Sequence, residues 1–388
     1  MKKISADLIV KLLQKVIGKG SHNLHEPYLR GNESNYLKKT IKSNFVSSVG
    51  KYVDLFEKKI CHYTNSKFAI AVVNGTQAIF VSLKVCGVKQ NNEVLVPALT
   101  FVGTVNAISY LGAIPHFIDS KINDFGVDCQ KLENYLKKIT KFKNGNCINK
   151  SSGNVIKAII PVHIFGHPCK IEKIKKIAKK FNLIVIEDAA EALGSFYKKK
   201  HLGTFGEVGC LSFNGNKIIT TGGGGMIITK NKLIAKKIKH ITTTAKVKHK
   251  WEYIHDEIGY NLRMPNLNAA LGLAQMESLN KFLKAKKKLF EKYFKVFSEI
   301  DGISLFKEPP FSSSNYWLQT LVLSKNNIKL RGKILKKCHK NSIKARPVWK
   351  LISELKPYKK NPKMNLSGSK EIYNRAINIP SSPSLILK

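Results

Sequence analysis

Short apolar runs alternate with segments of helical spacing between residues 68 and 229, and this alternation restricts the fold more than any other feature of the chain. It is typical of a mostly parallel β-sheet covered by helices on both faces. The predicted strands are 68–73, 93–98, 114–119, 155–164, 183–188, 209–214 and 225–229. Helices are predicted over 76–86, 104–111, 130–139 and 170–181. The polar stretch 141–154 is interpreted as a surface loop.

With 388 residues, the chain is long enough for two domains. A long helical pattern over 266–300 leads into a strand at 320–324 and a helix at 330–339, which indicates an α+β layer. We therefore expect residues 1–255 to form an N-terminal helix and a large domain, and residues 256–388 to form the connecting helix and a small C-terminal domain. The start of the chain predicts an amphipathic surface helix, because Asp7, Gln14 and several lysines interrupt any signal-peptide core.

The net charge of +42 would by itself suggest binding to nucleic acid or to an anionic membrane. However, lysines are spread over nearly every predicted surface, and arginine occurs only at positions 30, 263, 331, 346 and 375. This distribution is typical of a proteome-wide lysine bias, and no nucleic-acid-binding module is recognisable. We therefore do not expect nucleic acid to be a partner. Insertion into a membrane is not expected either, because no apolar run approaches the roughly 20 residues of a membrane span.

The 7 cysteines are scattered and never form a C-x-x-C motif. Such spacing indicates neither a disulfide framework nor a zinc site. We expect a cytoplasmic protein without a bound metal.

Three segments carry polar residues at points where ligands bind to α/β sheets. In the first, Asn74-Gly75-Thr76 follows a predicted strand and opens directly into a helix. Such a turn aims free backbone N–H groups and the positive end of the helix at an anion, so a phosphate fits there. Simple N-capping by Asn74 or Thr76 is the alternative.

The second segment ends a predicted strand in two acids, Glu187 and Asp188. An aspartate at this edge of a parallel sheet would hold a pyridinium nitrogen in its protonated form, which makes the ring a better electron sink. A metal ligand and a helix N-cap are the alternatives.

The third segment places Lys217 between two predicted strands and close to the glycines 222–225. A lysine between apolar strands is either charged and partnered or neutral, and a lysine that forms a Schiff base uses its neutral amine. The glycines allow close backbone approach or positive φ. A flexible hairpin loop would explain the same pattern.

Together these segments, which read NGT, EDAA and SFNGNKIITTGGGGM, resemble the sugar aminotransferase family named for DegT, DnrJ, EryC1 and StrS. The similarity continues through VPALTFVGTVNAISYLGAIPHFID, PVHIFGHP and GYNLRMPNLNAALG, in one order over nearly the whole chain. The resemblance implies an α/β protein of the fold type I class of pyridoxal-5'-phosphate (PLP) enzymes, with a large domain built on a mostly parallel seven-stranded sheet. PLP, which becomes pyridoxamine 5'-phosphate in the half-reaction, is the implied cofactor.

The resemblance also implies roles for single residues. Lys217 matches the Schiff-base lysine of the family, and Asp188 matches the partner of the pyridinium nitrogen. The implied contacts with the rest of the cofactor come from Gly75, Thr76, Gln77 and Ser212 at the phosphate, Phe101 at the ring face and Glu191 near the hydroxyl. Asn261 resembles an asparagine that reaches the phosphate from the other subunit, which implies a homodimer with shared active sites.

Three positions qualify this match. For Phe101, packing in the core is the alternative to a place over the cofactor ring. Glu191 stands where many relatives have glutamine, and Gly223 replaces an acidic residue that is common in this loop.

Within the family, the chain looks most like the subgroup associated with legionaminic acid and bacillosamine pathways. The implied reaction moves an amino group from glutamate to C4 of a UDP-linked 2-acetamido-2,6-dideoxy-hexos-4-ulose. Candidate contacts to this substrate are His249, Arg263 and Arg346 for its diphosphate, and Trp251 and Trp349 for stacking. Solvated surface positions and core packing are the alternatives for these residues.

Three further functions compete with this reading. A PLP-dependent sugar dehydratase of the same fold would replace the lysine with histidine, so Lys217 argues against it. An aminotransferase for 3-keto sugars uses the same residues. A non-catalytic polyanion-binding protein is the third alternative.

Overall fold

The chain forms an alternation of helices and strands in the computed structural model, which describes residues 4–387. The helices are α1 (Ala6–Ile17), α2 (Glu33–Lys42), α3 (Lys51–Thr64), α4 (Gly75–Val85), α5 (Val102–Ser109), α6 (Cys129–Ile139), α7 (Ile171–Lys180), α8 (Lys232–Thr242), α9 (Asn266–Phe297), α10 (Leu330–Lys340) and α11 (Ser367–Arg375). Short 3₁₀ turns cover Ile164–Gly166, Lys325–Asn327, Ile352–Glu354, Lys356–Tyr358 and Pro383–Leu385.

The strands group into one large sheet and several small ones. In chain order they are β1 (Phe68–Val72), β2 (Glu93–Pro97), β3 (Ile114–Ile118), β4 (Thr140–Lys143), β5 (Asn146–Asn149), β6 (Ile156–Ile159), β7 (Ile184–Asp188), β8 (Phe196–Tyr197), β9 (Lys200–His201), β10 (Val208–Ser212), β11 (Gly225–Thr229), β12 (Lys246–Val247), β13 (Ile254–His255), β14 (Ile303–Leu305), β15 (Ser312–Ser313), β16 (Gln319–Leu323), β17 (Arg346–Pro347) and β18 (Ala376–Ile379).

The large sheet has 7 strands in the order β1-β11-β10-β7-β6-β2-β3. Strand β11 runs antiparallel to both of its neighbours, β1 and β10, whereas the remaining neighbours pair in parallel. Helices cover both faces, so the strands are continuous apolar runs such as FAIAV in β1. The predicted mostly parallel, seven-stranded sheet is confirmed.

The strand predicted over 155–164 is shorter than expected. Strand β6 ends at Ile159, just before Pro161, which has no N–H with which to continue a ladder. The Pro161 carbonyl still accepts a hydrogen bond from the Asp188 amide at 2.9 Å. Beyond it the chain turns sharply at Phe165, whose φ of 56° lies in the left-handed region.

The interpretation of residues 141–154 as a loop is wrong, because strands β4 and β5 form an antiparallel hairpin there. Asn144 and Gly145 make its turn with φ values of 50° and 73°, and Asn-Gly is the pair favoured in two-residue hairpin turns. The Asn149 side-chain amide donates to both carboxylate oxygens of buried Glu93 at 3.0 Å. The hairpin is therefore attached to β2.

A second, smaller hydrophobic core lies in the C-terminal half of the chain. It is formed by the last part of α9 with β14, β16, β18 and α10, and by the apolar face of α1: Ile9, Val10 and Leu13. Residues 352–366 instead return to the core of the large sheet, where Ile352, Tyr358 and Met364 are buried. The division of the chain at 255/256 stays a prediction, and both ends of the chain pack across it.

Within residues 4–387, none of the helices has the length and apolarity that crossing a bilayer requires.

One buried histidine makes the stability of this fold depend on pH. The His201 Nδ1 atom lies 2.5 Å from the Leu202 carbonyl oxygen, and Nε2 accepts the Gly194 N–H at 3.0 Å. Protonation of Nε2 would break the second bond inside the core. Burial accordingly lowers the pKa of His201 from 6.5 to about 4, against opposing contributions from the Leu202 carbonyl and Glu187.

We predict that the free energy of unfolding decreases as pH falls from about 6.5 to about 4, because only the unfolded chain takes up this proton in that window. The loss from this residue approaches about 3 kcal/mol at the lower pH, at about 1.4 kcal/mol per unit. Urea unfolding at several pH values measures it. His201→Gln retains both hydrogen-bonding partners but cannot titrate, so its pH slope should be shallower, whereas His62→Gln at an exposed histidine should keep the original slope. Equal slopes for wild type and His201→Gln would contradict the prediction.

Candidate active site

The carboxyl edge of the large sheet opens into a cavity of about 310 Å³. The connections that follow β1, β2, β7 and β10 all reach it, because parallel strands direct their carboxyl ends to the same edge. The residues singled out from the sequence that line this cavity are Gly75, Thr76, Phe101, Asp188, Glu191, Ser212, Lys217, Arg346 and Trp349. Positions more than 270 residues apart in sequence are thus brought to one site.

The start of helix α4 forms one wall of the cavity. Asn74 caps the helix by accepting the Gln77 amide at 2.8 Å, so the N-capping alternative is correct for Asn74. The other amides at the start of a helix have no partner inside the helix, and Gly75 and Thr76 of this first turn line the cavity. Ser212 ends strand β10 directly beside Gly75: a Cβ atom at Gly75 would lie 2.9 Å from Ser212 Cβ. Capping and anion binding are therefore compatible at this turn.

The glycine run 222–225 allows β11 to reach this turn. A Cβ atom at Gly225 would lie only 2.5 Å from the backbone carbon and oxygen of Asn74 and 2.9 Å from the Gly75 nitrogen. Gly222 has a φ of 79°, which side chains rarely tolerate. Both properties predicted for this run therefore occur: Gly225 lies close to another backbone segment, and Gly222 has a positive φ.

Asp188 ends strand β7 and is buried in the cavity wall. Its Oδ2 atom accepts the Thr104 hydroxyl at 2.6 Å, and its Oδ1 atom accepts the Ala190 amide at 3.1 Å. Burial raises the pKa of Asp188, and these hydrogen bonds together with the charge of Lys217 oppose that rise. A cationic ligand group beside this carboxylate would compensate its burial.

Its neighbour Glu187 points away from the cavity and has a structural role. The carboxylate contacts His163 Nε2 at 2.9 Å and accepts the amides of Gly203, Phe205 and Gly206 at 2.6 to 2.9 Å. Burial raises the pKa of Glu187, but these partners outweigh burial and leave it below its usual value. Of these two adjacent acids, Asp188 lines the cavity, whereas Glu187 forms hydrogen bonds with the loop that follows β9.

Lys217 follows β10 and extends into the cavity, where its side chain is 13% exposed. Its Nζ atom donates to Glu191 Oε1 at 3.2 Å. The other oxygen of Glu191 accepts the Phe165 amide at 2.8 Å, which the left-handed backbone of Phe165 aims at it. Burial raises the pKa of Glu191, while the charge of Lys217 opposes this. The lysine is therefore partnered and held inside the site.

Trp317 is a cavity residue that sequence reasoning missed. Its ring centroid lies 3.9 Å from Lys217 Nζ, and its indole N–H donates to the Asn216 carbonyl at 2.6 Å. The Trp317 backbone is held by Asn315, which accepts its amide, and by buried Lys286, which donates to its carbonyl at 2.9 Å. The available signal was rarity, since the chain has 3 tryptophans and two of them line this cavity.

Phe101 stands at the start of α5, and the residue is 54% exposed. A Cβ atom at Gly103 would lie 2.5 Å from Thr76 Oγ1 and 3.1 Å from the Phe101 ring. The beginnings of α4 and α5 thus approach closely, and an uncovered aromatic face lines the cavity between them. Core packing, the alternative for Phe101, does not occur.

Five of the expected site residues lie outside the cavity lining. Arg263 is buried, and its guanidinium bonds to the Ala71 carbonyl at 2.9 Å and to Glu57 Oε1 at 2.7 Å. These bonds join Arg263 to β1 and to α3 of its own chain, and its contact with the substrate stays a prediction. His249 and Trp251 lie on the exposed β12–β13 hairpin, and Gln77 and Asn261 are also not among the residues that line the cavity.

The match to known proteins is consistent with this geometry. The family model described as DegT/DnrJ/EryC1/StrS aminotransferase matches residues 27–388. The chain belongs to this family. GDP-perosamine synthase of Escherichia coli O157:H7 is 36% identical over 368 residues, which cover 93% of each chain. A UDP-4-amino-4,6-dideoxy-N-acetyl-beta-L-altrosamine transaminase of Campylobacter jejuni (strain 81-176) is 30% identical over 91% of this chain and 90% of its own.

Among solved structures, that of Helicobacter pylori PseC, an aminotransferase involved in the biosynthesis of pseudoaminic acid, superposes with a TM-score of 0.83. The match covers 93% of this chain and 94% of that chain at 24% sequence identity. This likeness confirms the fold type I architecture expected for the DegT-family chain.

The DegT-family enzyme is an aminotransferase that depends on PLP. The cavity fits this cofactor in its chemistry: it presents an amine at Lys217, a buried carboxylate at Asp188, a helix start that suits a phosphate and the uncovered ring of Phe101. The contact that each residue makes with the cofactor stays a prediction.

We predict that Gly225→Ala weakens PLP binding and lowers the melting temperature, because the new methyl group would displace the Asn74-Gly75 turn. Overpacking of this kind typically costs about 1–3 kcal/mol. Gly223→Ala is the matched control, since its methyl group would approach nothing closer than the Val73 carbonyl at 3.9 Å. Cofactor titration by absorbance and thermal unfolding compare the variants. Equal cofactor affinity in both variants would refute the role given to the Gly225 contact.

Proposed function

We propose that this aminotransferase moves an amino group from glutamate to the C4 keto group of a nucleotide-linked deoxysugar. The observation that supports this most is the shared cavity of Lys217 and Asp188, beside a helix start that suits a phosphate. Relatives that match more than 90% of the chain carry the names of enzymes for GDP-linked and UDP-linked amino sugars. The bound cofactor supplies an electron sink for the electrons released at the reacting carbon.

The proposed roles follow from the positions of the side chains. The Lys217 amine would hold the cofactor, and as a free neutral amine Lys217 Nζ would remove the proton from the α-carbon of the amino donor. Glu191 and the Trp317 ring limit where the free amine moves, since both contact it in the cavity. Asp188 keeps the ring nitrogen protonated, and Thr104 orients the Asp188 carboxylate.

Two sugar nucleotides are the candidates for the amino acceptor. The motifs of the sequence favour a UDP-linked 2-acetamido-2,6-dideoxy-hexos-4-ulose, which belongs to bacillosamine or legionaminic acid type synthesis of surface glycans. The relatives named GDP-perosamine synthase favour a GDP-linked 4-keto deoxyhexose. We expect either reaction to take place in the cytoplasm, because a nucleotide sugar is the substrate.

We predict that the PLP-loaded enzyme forms 2-oxoglutarate from glutamate beyond the amount of its own cofactor only when a 4-keto sugar nucleotide is also present to accept the amino group. The assay supplies GDP-linked and UDP-linked 4-keto deoxysugars and a 3-keto sugar nucleotide in parallel. Lys217→Arg should lose about 100-fold or more of the rate, because arginine keeps the charge but has no neutral amine for proton transfer. Product formed only from the 3-keto sugar would overturn the C4 assignment.

We also propose that two copies of the chain complete each other's active sites. The β12–β13 hairpin and the residues that follow it expose large apolar side chains: Trp251, Tyr253, Ile254 and Ile258. A second exposed apolar segment includes Phe45, Val46 and Val49. Such surfaces are typical of protein interfaces. Contact with a second copy would cover them and would carry Asn261, His249 and Trp251 toward the partner's cavity.

A mixing experiment tests the shared site. We predict that Lys217→Ala and Asn261→Ala subunits are each impaired alone, and that activity reappears after they are unfolded, mixed and refolded together. In a mixed dimer, one site combines an intact Lys217 from one subunit with an intact Asn261 from the other. Sedimentation analysis checks that dimers form. A dimer whose activity is not restored by mixing would place Asn261 outside the partner's site.

A further inference from the structure

The Lys217 amine contacts two groups of the cavity wall, a carboxylate and an aromatic ring. Its Nζ atom lies 3.2 Å from Glu191 Oε1 and 3.9 Å from the centroid of the Trp317 ring. We call Glu191 and the Trp317 ring the lysine cage. Its contacts engage the same nitrogen atom that is proposed to bond the cofactor, so the two uses of that atom compete.

Buried Asn315 fastens both members of the cage to each other. Its side-chain amide donates to the Glu191 and Leu193 carbonyls at 2.8 Å, and its side-chain oxygen accepts the Trp317 amide at 2.8 Å. Gly166 lies so close to this side chain that a Cβ atom at position 166 would overlap it. One side chain therefore fixes the backbones of Glu191 and Trp317 relative to each other, on either side of the lysine amine.

The Glu191 carboxylate is buried, with a side chain only 6% exposed. The Phe165 amide donates to Oε2, and among the described residues Lys217 supplies the only cation within salt-bridge distance of Glu191. Burial raises the pKa of Glu191 and the charge of Asp188 raises it further, whereas Lys217 opposes the rise. Burial lowers the pKa of Arg346, and the charge of Glu191 opposes that change. A close opposite charge favours the charged form of its partner, here the ammonium form of the lysine.

The Trp317 ring favours the same form of the lysine. A cation over an indole face is attracted by the π-electrons, and the attraction is stronger where water is excluded. Trp317 is 2% exposed, and its indole N–H donates to the carbonyl of Asn216, the residue before Lys217. An ammonium group in the cage thus has a carboxylate and an aromatic face as partners. A nitrogen bonded to a carbon of the cofactor is no longer that ammonium group.

We propose that the lysine cage stabilises Lys217 as a free ammonium group and thereby favours the half of the reaction cycle in which this lysine is not bonded to the cofactor. In that half, the cofactor is pyridoxamine 5'-phosphate (PMP), which carries the amino group for the sugar. Glu191 and Trp317 act as positioning residues, because they act through Lys217. The inference rests on the proposed function, since it takes Lys217 as the residue that bonds PLP.

The affinities of the enzyme for PLP and for PMP, measured by absorbance titration, test the cage without turnover. Only PLP removes Lys217 from the cage, because only its aldehyde bonds the amine. We predict that Glu191→Gln raises the ratio of the PMP Kd to the PLP Kd about tenfold, since a hydrogen bond between charged groups is lost. The amide of glutamine still accepts the Phe165 N–H. Any contact of Glu191 with a part common to PLP and PMP changes both affinities alike and cancels in the ratio.

Two further variants accompany this measurement. Trp317→Leu should raise the ratio about threefold or more, because the attraction between the ammonium group and the indole ring is lost. Glu172→Gln is the matched control and should leave the ratio unchanged. Glu172 also bonds a lysine, Lys198, at 2.7 Å, but this pair lies on the surface and outside the cavity lining.

The Lys217→Ala background separates the cage from general damage to the site. In that background Glu191→Gln should leave the ratio unchanged, because no amine remains to be held; a tenfold change there would contradict the proposal. An unchanged ratio in Glu191→Gln and in a folded Trp317→Leu variant would also overturn it, provided that borohydride fixes PLP to Lys217 in the wild type. If borohydride fixes no PLP to Lys217, the proposed role of the lysine is wrong, and the cage proposal is wrong with it.

Discussion

The close approach of strand β11 to the turn between β1 and α4 is the constraint on which the active site depends. Gly225 lies directly against the Asn74 backbone, where no Cβ atom fits. This contact fixes the helix start beside Ser212, while the parallel pairing of β10 with β7 sets Cys210 opposite Asp188. Lys217, a short distance beyond β10, is thereby directed into the same cavity as Asp188. A helix start, an amine and a carboxylate are brought together by the register of one sheet.

The C-terminal layer completes the site rather than merely covering it. Trp317 contacts the Lys217 amine, and its backbone is held by Asn315 and by Lys286, a lysine buried completely in α9. Lys286 also donates to the Ser381 carbonyl and hydroxyl, so the end of the chain, the long helix and the Trp317 loop form one connected unit. A movement of this layer would therefore alter the position of the Lys217 amine.

Periodicity predicted the elements of the large sheet because strands buried on both faces must be apolar throughout, which is visible locally. It failed at 141–154, where the hairpin strands are short and polar and are attached through Asn149 to Glu93, far away in sequence. For Arg263, rarity suggested a functional role, but its partners Ala71 and Glu57 could be recognised only in three dimensions. For Trp317 the rarity of tryptophan was the available signal, but its contact with Lys217 could be recognised only in three dimensions.

The sequence by itself determined the class of chemistry. Lys217, Asp188 and the NGT turn each end or follow a strand, and parallel strands must present such positions at one edge, so their meeting is implied by the order of elements. Only the tertiary structure decided which neighbouring groups act on them: that Glu191 and Trp317 hold the lysine, and that Glu187 turns inward to the loop after β9. These outcomes depend on packing between segments distant in sequence, where burial and the directions of side chains are settled by the whole fold.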